Sequence, residues 1–382
     1  MDSFILKNGT LVLPDYQIDN AVLIAQQGII IYAGAGPLEA VIRHFPEAAS
    51  LPIEDCRGGY ILPPLVELHI HGAFSVGFEQ GPSAEDLVRL SVRLDAEGIG
   101  AFVPTMLWEE HAAAELVHAI KVSGLSPGKI PGIYLEGPFV NPEKRGGIPL
   151  QNIARPSKQL LQKILEVCDG FLAIMTLAPE LEGVEELYPL LESAGVVIAL
   201  GHSNTSGIGM KLPASRFSVT HLFNAMSGLD HRSGPGLAGY VLGGGKQRWA
   251  ELNADGIHVN RFAMNVASRC LDPSQLILTS DAIAAAGMPE GMFSYFGQDA
   301  LSDKTGVRYK ETGTLIGSNR LGIELVKSFM AASGWPLHAC VRAMSTNPWN
   351  LLNRAQPGLV PGAPAELFIW DRDLNHCWRS TT

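Results

Sequence analysis

Val196-Val197-Ile198-Ala199-Leu200-Gly201-His202 is five apolar residues, a glycine and then a histidine. A strand with one wet face alternates apolar and polar side chains. This run does not alternate, so it reads as a strand covered on both faces. The pattern recurs on either side of it. Eight such runs stand at residues 59–68, 99–104, 130–135, 171–177, 196–200, 217–220, 249–254 and 276–279. Amphipathic stretches at 84–97, 111–123, 157–168 and 182–194 lie between several of them and have helical spacing. Eight strand–helix units in about 300 residues predict a (β/α)₈ barrel of the TIM type. The seventh run is the weakest, because Glu251 and Asn253 interrupt it. A doubly wound open sheet is the competing architecture, but no G-x-G-x-x-G follows the first run.

The residues just beyond the runs carry the chemistry. His69 and His71 follow the first, Glu136 the third, His202 the fifth and His221 the sixth; Asp255 follows the seventh, with His258 three residues on, and Asp281 follows the eighth. In a barrel all strand C-termini open on one face, where active sites of this fold lie. Imidazole and carboxylate are ligands for zinc or a similar divalent ion. In His69-Ile70-His71 the histidines are two apart, so an extended strand turns both to one side. A lone histidine at a strand end is more often a satisfied polar residue than a ligand. It is the set of four histidines and two carboxylates that points to a metal. Asp281 alone reads as a helix cap; beside a metal it becomes the natural general base.

Composition bounds the rest. With 382 residues, the chain is long enough for a large barrel plus a smaller unit. Short apolar runs at 4–6, 10–13, 21–25 and 29–32, and another at 365–370, suggest a small β-sandwich built from residues 1–57 and 358–382, leaving 58–357 to the barrel. A net charge of −10 argues against nucleic acid as a partner. Five scattered cysteines without C-x-x-C argue against a disulfide framework or a cysteine zinc site. No run has the length of a membrane span, and the first residues lack a leader's basic and apolar regions, so a cytoplasmic protein is expected.

Leu135-Glu136-Gly137-Pro138-Phe139, Gly201-His202-Ser203-Asn204, His221-Leu222-Phe223-Asn224-Ala225-Met226, Ala254-Asp255-Gly256-Ile257-His258-Val259 and Ser280-Asp281-Ala282 resemble the N-acetylglucosamine-6-phosphate deacetylases of the amidohydrolase superfamily. The resemblance continues to Pro361-Gly362-Ala363-Pro364-Ala365-Glu366-Leu367 and so covers essentially the whole chain. It implies metal ligation by Glu136, His202 and His221, joined by His69 and His71 where two ions bind. It implies Asp281 as the catalytic aspartate and a homodimer. Asn224, Ala225, Arg232, His258 and Leu315-Ile316-Gly317 match substrate-holding positions, and Gly147 and Asp255 are counted with them. Two departures stand out. The family's K-x-G-A-H-P reads Lys144-Arg145-Gly146-Gly147-Ile148-Pro149, so Ile148 replaces a substrate-facing histidine. The family's H-R-E-P-G reads His231-Arg232-Ser233-Gly234-Pro235-Gly236, one residue longer.

The expected activity is hydrolysis of the acetamide of N-acetylglucosamine 6-phosphate or a close N-acetyl amino-sugar phosphate, with one or two divalent ions, zinc first among them. The alternatives are a deacylase of a different N-acyl sugar or N-acyl amino acid, and a barrel without catalysis that serves as a binding or scaffold protein.

Overall fold

All eight apolar runs form strands. A computed structural model describes residues 3–244, 248–355 and 358–378. The strands are Leu65–Ile70, Ile99–Met106, Ile133–Leu135, Leu172–Leu177, Val197–Leu200, Phe217–Val219, Arg248–Asn253 and Leu276–Thr279. They lie parallel and hydrogen-bonded in chain order. The sheet closes where the eighth meets the first: Ile70 and Ala282 form a parallel bridge, and the Asp281 N–H donates to the His69 carbonyl at 3.0 Å. A (β/α)₈ barrel results, as expected.

The helices between strands follow their end signals. Ser83 opens Ala84–Ala96 with a capping box, its hydroxyl accepting from the Asp86 N–H while the Asp86 carboxylate accepts from the Ser83 N–H. Leu87, Leu90 and Leu94 then face the barrel at helical spacing. Asn260 caps Arg261–Cys270 with its side-chain oxygen alone, which accepts from the Phe262 and Ala263 N–H groups.

Three details differ from the expectation. The first run splits: Tyr60–Leu62 pairs with Phe368–Trp370 in the terminal sheet, and only Leu65–Ile70 enters the barrel. The runs at 4–6 and 10–13 are one strand, Phe4–Val12, in which Asn8 sits at a positive φ of 57° and the register shifts. Asparagine tolerates that conformation, so the chain kinks without ending. The third difference is a four-stranded antiparallel sheet, Gly291–Tyr295, Gln298–Asp303, Gly306–Tyr309 and Leu315–Gly317, inserted after the eighth strand. Ile283, Ala285, Tyr295, Ala300, Val307 and Tyr309 form its own small core.

The chain ends meet in one seven-stranded mixed sheet with an apolar cluster on each face, Leu6, Leu23 and Ile369 on one and Ile5, Val22 and Val41 on the other. The outermost terminal positions, 1–2 and 379–382, lie outside the described residues. The five cysteines are free. Among the described residues no helix is long and apolar enough to cross a membrane.

Candidate active site

The barrel interior is polar. Tyr134 on the third strand reaches Glu251 on the seventh at 3.2 Å, and Ser218 on the sixth donates to the same carboxylate at 2.7 Å. Thr176 donates to the Tyr134 hydroxyl. Burial, with the Glu251 charge adding to it, holds the Tyr134 phenol well above its ordinary range, so it stays a donor. Above this layer the strand ends carry the histidines.

Two groups of ligand-type atoms converge at the mouth: His69, His71 and Asp281, and Glu136, His202 and His221; in each, the atoms lie within 4.8 Å of one another. In the second group Glu136 Oε1 is 2.8 Å from His202 Nε2 and 2.9 Å from His221 Nε2, and the two nitrogens are 3.0 Å apart. His202 Nδ1 lies 2.8 Å from the Lys144 carbonyl, to which it donates, so that in the neutral ring Nε2 carries the lone pair. In the first group His69 Nε2 and His71 Nε2 each lie 3.7 Å from Asp281 Oδ1. His69 Nε2 is buried and has no hydrogen-bond partner among the described residues. A buried ring nitrogen without a partner, aimed at a carboxylate among other donors, is what a cation would satisfy. The donor set, imidazole with carboxylate, fits zinc-like ions.

The electrostatics agree. Burial pushes the Glu136 carboxyl up, but the His202 charge and imidazole bonds outweigh it and hold it well below the carboxylate range. Burial pushes His71 down, and the Glu79 and Glu136 carboxylates reverse that and raise it well above the usual value. His221, lowered by burial and raised more by Glu136, is pushed up to about 9. The negative field that retains protons here is one that attracts a divalent cation.

Backbone strain concentrates at the same place. His202, His221 and Asp281 all have positive φ, 46°, 29° and 53°. Each costs about 1–3 kcal/mol outside glycine. The sharp turn leaves the strand at once and presents the side chain to the mouth.

The mouth opens into a cavity of about 180 Å³ lined by His71, Glu136, His202, His221 and Asp281 among others. No protein-family model matches the chain. The N-acetylglucosamine-6-phosphate deacetylase of Bos taurus is 30% identical over 342 residues, covering 84% of this chain and 82% of that one. The chain belongs to the N-acetylglucosamine-6-phosphate deacetylase family. The Bacillus subtilis member is 32% identical over 281 residues, 71% of this chain and 70% of its own length. A Mycobacterium smegmatis deacetylase variant, solved with N-acetyl-D-glucosamine-6-phosphate, superposes with a TM-score of 0.86 at 24% identity, over 99% of this chain and 98% of that one.

Within this family's pocket the expected substrate residues sort into three groups. Gly147, Asn224, Ala225, His258, Leu315 and Ile316 line the cavity. Asp255 and Gly317 are buried behind the lining. Asp255 Oδ2 is 2.8 Å from His258 Nδ1, and its other oxygen accepts from the Ile257 and His258 N–H groups. Burial raises its carboxyl, and the His258 bond and charge win and lower it. Gly317 has no room for a side chain, since a Cβ would stand 2.6 Å from Ile283 Cγ2. Arg232 is exposed in the single chain and is not among the residues that line the cavity. Its longer loop turns on Asp230, which accepts from the Arg232 and Ser233 N–H groups. Ile148 lines the cavity and packs against Leu107 and Val140, an apolar wall where a histidine was expected.

Several site residues escaped the sequence reading. Tyr295 and Phe296 line the cavity from the inserted sheet. Asn253 donates to Asp281 Oδ2 at 3.1 Å and accepts from Thr279. Glu251 and Glu79 contact His69 and His71. A signal for two of these was present: Glu251 and Asn253, two apart in a strand otherwise covered on both faces, point to the same side, the barrel interior.

Proposed function

We propose that this chain hydrolyses the acetamide of N-acetylglucosamine 6-phosphate, releasing acetate and the free amino sugar. The observation that carries it is Asp281, whose carboxylate stands between both HxH histidines and the sugar-facing His258, with His258 Nε2 3.9 Å from Oδ2. The ligands in this reading are His69 and His71 for one ion and Glu136, His202 and His221 for the other, and the ion is zinc. A divalent ion held there polarises a carbonyl oxygen and lowers the pKa of water toward 7. Asp281 accepts the proton of the attacking water and delivers it to the departing nitrogen. Asn253 anchors Oδ2, so Oδ1 is the oxygen that faces the reaction. His258, its Nδ1 tied to Asp255, offers Nε2 to the sugar. Asn224, Ala225 and Gly147 border the substrate, and Tyr295, Phe296, Leu315 and Ile316 give apolar faces for the ring.

A second reading is deacylation of a different N-acyl sugar. One observation favours it: among the described residues the cavity is lined by no lysine or arginine, and by Ile148. Acetate release from N-acetylglucosamine with and without the 6-phosphate separates the two. A kcat/KM at least tenfold higher for the phosphorylated sugar supports the first reading; equal values transfer the protein to the second. The same proposal includes a cytoplasmic homodimer, which light scattering tests, and a division into a barrel and a terminal unit, with the boundary moved from residue 57 to beyond the Tyr60–Leu62 strand that pairs in the terminal sheet.

A further inference from the structure

His69 Nδ1 lies 3.3 Å from Glu251 Oε2, and neither side chain is exposed at all. His71 Nδ1 lies 2.5 Å from Glu79 Oε1, both nearly buried. So each histidine of the HxH pair has its inner ring nitrogen on a carboxylate and its outer one turned toward Asp281 and Glu136, His71 Nε2 lying 3.3 Å from Glu136 Oε2. The other pair is held differently. His202 Nδ1 faces only the Lys144 carbonyl, and His221 Nδ1, also buried, has no partner among the described residues.

Glu251 is a poor choice as a structural plug. It is fully buried in the barrel, and among the described residues its side chain bonds Ser218, Tyr134 and His69 and no lysine or arginine. A carboxylate is costly to bury unless it is paired, and an apolar residue of similar volume often stabilises such a position as well or better. What Glu251 does that an apolar residue cannot is hold the Nδ1–H of His69. Glu79 comes from a separate element, the short helical turn Phe78–Gln80 after the first strand, and reaches the neighbouring histidine in the same way. Two carboxylates from unrelated parts of the chain thus end on equivalent atoms. A carboxylate on Nδ1 fixes the tautomer, keeps the ring from turning and makes Nε2 a better donor to a cation.

We infer that Glu79 and Glu251 are positioning residues that make the His69–His71 half of the mouth a strong metal site in its own right. This rests on the metal-dependent reading above, and deepens it by assigning the strength of one half to two carboxylates outside the ligand set. The His202–His221 half, backed by a carbonyl and by nothing, does not depend on them.

Zinc uptake by the full chain, measured as ions per chain across a series of buffered free Zn²⁺ concentrations, tests this. The parent is expected to fill two positions. Glu251→Gln and Glu79→Gln are each expected to need about 10–100-fold more free Zn²⁺ to fill one position, leaving the other unchanged. Glu67→Gln is the comparison: Glu67 is equally buried in the first strand but bonds Ser280 and the Gly322 N–H rather than a histidine. It is expected to titrate like the parent. If Glu251→Gln does not fold, Glu79→Gln, whose carboxylate lies outside the barrel strands, carries the test alone. Parent-like titration by both variants, while a His69→Asn, His71→Asn variant loses one ion, overturns the inference and leaves the metal reading intact. A parent that takes up no zinc overturns both.

Discussion

Replacing Asp281 by asparagine separates chemistry from structure at this site. The side chain is 17% exposed; Oδ2 accepts from Asn253 Nδ2 at 3.1 Å, and Oδ1 lies 3.7 Å from the His69 and His71 Nε2 atoms. Its φ is 53°. Asparagine is among the residues that tolerate this left-handed conformation, so Asp281→Asn adds no backbone penalty. It is isosteric, and its amide oxygen still accepts from Asn253. The structural change is one charge-assisted hydrogen bond made neutral, a loss of about 1 kcal/mol. The chemical change is larger. A neutral amide neither accepts the proton of water nor returns one to nitrogen, and loss of such a group lowers kcat by about 10²–10⁴-fold, which is about 2.7–5.4 kcal/mol of barrier. The assay is steady-state acetate release from N-acetylglucosamine 6-phosphate, with zinc content and melting temperature measured on the same preparation. A kcat within tenfold of the parent, with metal and melting temperature unchanged, would refute the assigned role. Loss of an ion in the variant would instead make Asp281 a ligand whose proton transfer had not been isolated.

Two further outcomes follow from geometry and charge. Gly317→Ala pushes a Cβ to 2.6 Å from Ile283 Cγ2 and 3.2 Å from the Asp281 carbonyl; we expect a loss of about 1–3 kcal/mol in thermal or denaturant unfolding and a rise in KM greater than any fall in kcat, because Leu315 and Ile316 move with it. Asp255 is an acid with a lowered folded pKa, so its stabilisation is fully present above its unfolded value near 3.8 and is lost as pH falls through the folded one. Asp255→Asn should therefore be less stable than the parent by about 1.5–3 kcal/mol at pH 7, with the gap shrinking below pH 4; a gap constant from pH 7 to pH 3 contradicts the ion-pair account of Asp255 and His258.

Local pattern made the barrel and most of the mouth legible. A strand buried on both faces loses its polar alternation, and that loss shows in five residues such as 196–200. A polar residue directly beyond the run marks the strand's C-terminal end, so His69, His71, Glu136, His202, His221 and Asp281 could be read as one set before any contact was known. Their convergence follows from the fold, because all eight strands leave the barrel on one side.

What stayed out of reach depends on pairs far apart in the chain. Glu251 interrupts its run and looks like a defect there; only across the closed barrel does it meet His69, 182 positions away. Glu79 and the sheet at 291–317 sit in loops whose short polar strands carry no period that ties them to the mouth. Arg232 is legible only by its motif: in the single chain its loop, in which Asp230 accepts from the Arg232 N–H, leaves the side chain exposed. Periodicity and residue type are properties of neighbours along the chain and determine which segments become strands and which ends carry ligands. Side-chain partners across the interior, and the direction in which a loop turns, arise only when the barrel closes, because burial and hydrogen-bond pairing then join positions that local pattern cannot connect.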